Sequence, residues 1–113
     1  MAGLSAERAA RNEAVFRDAN ERIEQRLAEL SLSDGRSPFL CECESPLCTR
    51  PLRLSAEQYE AVRQHPDRFI VATDHTIDDA DVIARHDEFV VVRKRGVEAA
   101  VATRLDPRRN NGQ

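Results

Sequence analysis

The chain has 113 residues, a net charge of −3 from 17 basic and 20 acidic side chains, and 33% charged residues. That length fits one small domain, and the acidic balance argues against a dedicated nucleic-acid binder, which presents a basic face. Aromatic residues are 4% of the chain and Trp is absent, so a core must come mainly from Leu, Ile, Val and Phe, and a bound metal would help a core this thin.

Residues 5–30 have the pattern of one amphipathic helix. Phe16, Ala19, Ile23, Leu27 and Leu30 recur at spacings of three and four and form an apolar stripe. Glu13, Arg17, Glu21, Glu24 and Arg26 fall on the opposite, solvent face, and Asn12 and Asn20 are read as ordinary polar flanks of the stripe. Residues 31–38 (SLSDGRSP) have the composition of a linker. The organisation expected is therefore a helix over 1–30, a linker over 31–38, a compact domain over 39–105 and a frayed tail over 106–113.

Residues 39–43 predict a short strand, which puts Cys41 and Cys43 on one face. Residues 44–47 are turn-like and bring Cys48 back, and 51–54 predict the returning strand. Ser55 and Gln58 match a capping box that opens a helix of about two turns, with Tyr59 and Val62 inside and Pro66 as the stop. Residues 69–72 predict a strand. Val82 and Ile83 begin another, 85–88 read as a turn, and 89–93 (FVVVR) form the strongest strand, broken by Gly96. Residues 97–105 are ambiguous, with Val97, Val101 and Leu105 on one face if helical. The fold class expected is α+β: an N-terminal amphipathic helix, then a small antiparallel sheet with one short helix, stapled by a zinc site.

All three cysteines fall in Cys41-Glu-Cys43-Glu-Ser-Pro-Leu-Cys48. Thiolate sulfur is soft and favours Zn²⁺ over Mg²⁺ or Ca²⁺, and zinc wants about four N/S ligands in a tetrahedron. Three cysteines supply three. His75, which follows the 69–72 strand, is the first choice for the fourth; His65 and His86 are the other histidines, and Glu42, Glu44 or Asp74 would give an open site. The acidic residues Asp74, Asp78, Asp79 and Asp81 lack the spacing of a calcium loop and read as a solvated loop. No apolar run approaches the roughly 18–20 residues of a membrane span, and the first residues carry no apolar signal core. The expected setting is cytoplasmic, where a reducing milieu and an odd thiol count favour metal binding over disulfides.

The chain resembles a family of small bacterial proteins to which no activity is attached. The resemblance runs through residues 11–23 (RNEAVFRDANERI), 39–43 (FLCEC) with Cys48, 54–63 (LSAEQYEAVR), 69–71 (FIV), His75, the 89–92 strand and 106–108 (DPR). It implies His75 as the fourth ligand, although the family's Pro-Gly-His-Glu context reads Thr73-Asp74-His75-Thr76 here. Function is thus expected to be that of a non-enzymatic zinc module, acting on a protein partner or by self-association through the N-terminal helix. A zinc–thiol redox sensor and, less favoured, a zinc-dependent enzyme using Glu42, Glu44 or Asp74 are the competing readings.

Overall fold

The computed structural model describes residues 2–32, 35–45, 47, 48, 50–75 and 80–108, with side chains described from residue 7 onward. Helix α1 (Ala2–Glu29) leads into strands β1 (Arg36–Leu40) and β2 (Pro51–Ser55), then helix α2 (Ala56–Arg63). Strands β3 (Arg68–Ala72), β4 (Ala80–Arg85) and β5 (Phe89–Lys94) follow, and helix α3 (Gly96–Arg104) ends the series. The class is α+β, as the sequence implies. The strands form two antiparallel sheets rather than one: the β1–β2 hairpin and a three-stranded sheet ordered β3–β5–β4. The ambiguous stretch after Gly96 is helical, and Gly96 itself takes a positive φ of 59°, a conformation that favours glycine, as the chain turns out of β5.

Local chemistry accounts for the elements. Ser55 Oγ accepts the Gln58 N–H (3.0 Å) and Gln58 Oε1 accepts the Ser55 N–H (2.8 Å), closing the capping box that starts α2. Strand β5 is central, so Phe89, Val90, Val91 and Val92 are all buried and the usual in–out alternation is lost. Strand β4 is one edge: Val82 and Ile83 are exposed and the pairing slips between Val82 and Ala84, a bulge of the kind that blunts sheet edges. The core gathers Phe39, Leu52, Leu54, Tyr59, Phe69, Ile70, Phe89 and Val92, with the Phe39 and Tyr59 rings stacked at 4.7 Å.

Helix α1 folds back on this core, and its buried face differs from the stripe that periodicity selects. Ile23 and Leu27 do pack against the core from its margin. The deepest residues, however, are Ala9, Ala10, Glu13, Ala14, Arg17 and Asn20. Glu13 and Arg17, expected on the solvent face, are 1% and 0% exposed, and Leu30 of the expected stripe is exposed. The reason is that their partners lie on other elements. Arg17 donates to Pro66 O (2.8 Å) and Ala102 O (2.9 Å) and lies over the Phe69 ring, while Glu13 pairs with Lys94. Asn20 is fully buried and hydrogen-bonded, not a polar flank.

Two boundaries also shift. Strand β1 starts at Arg36, inside the span expected as linker. Residues 106–108 are packed rather than frayed: Asp106 is buried against Arg63 (2.6 Å), and Arg108 reaches Glu21, Glu24 and Glu60. The rest of the expected tail, 109–113, lies outside the described residues. On α3, Glu98, Val101 and Ala102 are buried while Val97 is exposed, so the inner face is not the Val97–Val101–Leu105 row. No helix among the described residues is long and apolar enough to cross a membrane.

Candidate metal centre

Strand β1 ends at Leu40 because the chain changes partner there. Cys41 N still donates across the hairpin to Arg50 O (3.0 Å), whereas Glu42 N donates to Ile70 O on β3 (2.8 Å). Residues 41–43 therefore stitch the two sheets together, which is why the strand expected over 39–43 divides at residue 40. Alternation along this segment sends Cys41 and Cys43 to one side and Glu42 to the other.

Two turns bring in the remaining groups. Ser45 O accepts the Cys48 N–H (3.2 Å) and Ser45 Oγ accepts the Leu47 N–H (3.3 Å), which returns Cys48 towards Cys43. After β3, the His75 N–H donates to Ala72 O (3.1 Å) and folds His75 over the strand end. An Arg50–Asp74 ion pair links this second turn to the residue preceding β2. Cys41 and Cys43 are buried; Cys48 and His75 are half-buried at the rim.

The ligating atoms of Cys41, Cys43, Cys48 and His75 all lie within 4.8 Å of one another, and Cys48 Sγ is 3.6 Å from His75 Nε2. A tetrahedral ion with bonds of about 2.3 Å to sulfur and about 2.0 Å to nitrogen has ligand–ligand edges of about 3.5–3.8 Å. The four atoms thus need only a small contraction to close on one ion. Of the three histidines, His75 alone joins this group. His86 is exposed and stacks on Phe89 (4.4 Å), and His65 is exposed at the end of α2.

The carboxylates considered as substitutes are engaged elsewhere. Glu42 points away from the sulfurs and accepts hydrogen bonds from Tyr59 Oη (2.6 Å), Asn20 Nδ2 (2.9 Å) and the Ile70 N–H (3.0 Å). Burial pushes its carboxyl up, against those three donors. The Arg50 hydrogen bond holds Asp74 below the usual carboxylate range. Of the other acidic-loop residues, Asp81 faces Arg93 and Arg95, and Asp78 and Asp79 lie outside the described residues. Glu44 belongs to a second acidic group with Glu13 and Glu98, into which Lys94 extends its own ammonium. Burial pushes Glu13 up to about 7 although Lys94 opposes it.

Burial also pushes the Cys41 and Cys43 thiols up, and neighbouring Cys48 adds to the effect on both; the Ala72 N–H, 3.3 Å from Cys41 Sγ, acts the other way on Cys41. These sulfurs are neutral thiols unless a cation supplies the charge that burial denies them. A bound metal would do so, since ligation displaces the thiol proton. The cysteine spacing made the sulfur cluster visible in sequence. It gave no sign of Asn20 or Tyr59, whose link to the site runs through Glu42; the one available signal was the alternation in Cys-Glu-Cys, which sets Glu42 opposite the sulfurs.

Comparison with family models, with curated proteins and with solved structures gave no match to this chain. The class that fold and site define is therefore stated from geometry: a small α+β protein with a Cys₃His group able to hold a metal ion.

Proposed function

We propose that Cys41, Cys43, Cys48 and His75 hold one Zn²⁺ as a closed structural site, and that the protein is a non-enzymatic module acting through protein contacts. The observation that carries this is the convergence of three sulfurs and one imidazole nitrogen, from two turns and a sheet junction, within 4.8 Å. Soft sulfur donors select zinc among the common divalent ions that lack redox chemistry. The family resemblance supports the same fourth ligand and a bacterial origin.

An enzyme reading needs an open coordination position with an acid or base beside it. Glu42 is turned away, and Asp74 is engaged by Arg50. Three thiolates also make zinc a weak Lewis acid. A structural role suits the arrangement better, because the site joins the β1–β2 hairpin to β3. The surface of α1 left for a partner is its outward one, with Arg8, Arg11, Val15 and Arg22, since Ile23 and Leu27 pack inward. Leu47, 89% exposed at the tip of the cysteine turn, adds an apolar contact point.

The test is metal content by mass spectrometry on purified protein beside a Cys48→Ser variant. One zinc per chain in the wild type and less in the variant is expected. A wild type without zinc, or with a different metal in stoichiometric amount, would sink the proposal. Zinc release under mild peroxide, with oxidation at Cys48 first, would move the reading to a redox sensor.

A further inference from the structure

Helix α1 and the sulfur cluster lie on opposite sides of one short segment. Along residues 40–44, the even-numbered residues are tied to α1 and the odd-numbered ones carry the sulfurs. The Leu40 N–H donates to Asn20 Oδ1 (2.7 Å), and Asn20 Nδ2 donates to Leu40 O (2.8 Å) and to Glu42 Oε2 (2.9 Å). One turn pair earlier on the helix, Asn12 Nδ2 donates to Glu44 O (2.8 Å). Glu42 is fully buried, and Tyr59 and Ile70 hold it from α2 and β3. Asparagine is a poor choice inside a helix, where its amide competes with the backbone. Here two asparagines, eight residues apart, spend their amides on the segment that presents Cys41 and Cys43.

Resting on the zinc reading above, we infer that Asn20 and Glu42 are positioning residues of the metal centre, and that zinc loading is coupled to the docking of α1. Zinc fixes the distance between Cys41 and Cys43 and so fixes the intervening main chain. Asn20 and Asn12 grip the main chain on either side of it, at Leu40 and Glu44, and Asn20 also holds the Glu42 carboxylate that lies between the two cysteines. Coupling of this kind is reciprocal: α1 tightens zinc binding by the same factor by which zinc tightens α1. Loss of zinc loosens the grip and uncovers the inner face of α1, with Ala9, Ala10, Glu13, Ala14, Arg17 and Asn20. The site is then a metal-controlled clasp on a helix.

The experiment uses the full chain with Zn²⁺ itself as probe, titrated against a chromophoric chelator. Asn20→Ala removes the grip; Tyr59→Phe removes one donor to Glu42 while keeping the ring on Phe39. Both variants are expected to keep the wild-type far-ultraviolet spectrum when zinc-loaded and to bind zinc about tenfold more weakly or worse, as loss of outer-shell partners does. The visible bands of the cobalt-substituted forms should shift, which a remote packing defect would not cause. Hydrogen exchange should show α1 losing protection on chelation before β3 and β5. Unchanged zinc affinity in both variants, or equal α1 protection with and without zinc, overturns the coupling and leaves the zinc site standing. A wild type that binds no zinc overturns both. If Asn20→Ala does not fold, Tyr59→Phe alone decides the affinity question.

Discussion

Under the zinc proposal, His75→Ala separates the metal from the fold more cleanly than a change at Cys41 or Cys43, because those two are also core residues while His75 is half-buried on a turn. Structural zinc contributes about 10–16 kcal/mol in small domains, so one ligand of four is worth about 3 kcal/mol, or roughly 100-fold in affinity. In free zinc buffered at about 100 times the wild-type Kd, ligand linkage stabilises the wild type by about 2.7 kcal/mol. At about 4 °C per kcal/mol for a chain of this size, its melting point rises by about 10 °C over that in chelator. In the same buffer the variant sits near its own Kd, gains about 0.4 kcal/mol and rises by about 2 °C. With chelator, the two proteins should melt within about 2 °C of each other, since a half-buried turn side chain contributes about 0.5 kcal/mol or less. Scanning calorimetry in zinc-buffered solution reads all four values. A variant stabilised by zinc as much as the wild type would refute the assignment of His75, and a wild type indifferent to zinc would refute the site.

Arg63→Met removes a guanidinium, fully buried, that binds Glu21 (2.8 Å) and Asp106 (2.6 Å); Glu21 keeps Arg108, but buried Asp106 keeps only the Arg108 N–H, so urea denaturation near pH 7.5 should show a loss of about 3 kcal/mol. Burial pushes the Asp106 carboxyl up, but the Arg63 hydrogen bond and charge, with the Arg108 N–H, hold it below its ordinary range; without Arg63 that hold weakens, so the penalty should shrink as pH falls through the carboxylate range, whereas a pH-independent penalty would contradict this account. Glu13 titrates at about 7 in the fold against 4.5 in the unfolded chain, so the fold holds a proton that the unfolded chain releases, and the resulting stability is full below the lower value and lost as pH rises through the upper one. Wild-type stability should fall between pH 5 and pH 8 by up to about 3 kcal/mol, and Glu13→Gln should flatten that slope; equal slopes would show that burial does not raise Glu13 against the pull of Lys94.

Where information was local, the sequence was legible. Ser55 and Gln58 announced α2 because the capping box is a contact between neighbours. The hairpin, the 89–92 strand and the sulfur cluster were visible for the same reason: alternation and close cysteine spacing act over a few residues. The face of α1 that periodicity selects is not the buried one, because burial depends on groups far along the chain. Arg17 finds its carbonyls 49 and 85 residues away, and Asn20 finds Leu40 and Glu42 across a loop. An apolarity pattern gives weight to Ile23 and Leu27 and has no means of seeing a carbonyl that waits for an arginine. Arg108 carries no local signal either, since three glutamates on α1 and α2 are what fix it. His75 was recoverable as one of three histidines, but its proximity to Cys48 depends on how β3 lies against residues 41–43.

The polar seat of α1 bears on how the helix can leave. Arg17 binds Ala102 O, one of the last-turn carbonyls of α3 that the helix itself cannot satisfy, and Pro66 O at the turn after α2. Asn20 and Asn12 likewise occupy main-chain groups at Leu40 and Glu44. An apolar helix face torn from a core leaves dry surface on both sides, which drives collapse or association. A face seated largely through carbonyls and carboxylates leaves groups that water can satisfy, so its removal costs the remaining sheet far less. The core of Phe39, Tyr59, Phe69 and Phe89 lies mostly outside that seat and is built from β1, α2, β3 and β5. Detachment of α1 therefore exposes mainly groups that water can satisfy, with α3 losing its Arg17 cap in the same step. A clasp controlled from residues 40–44 has its largest effect on an element of that kind.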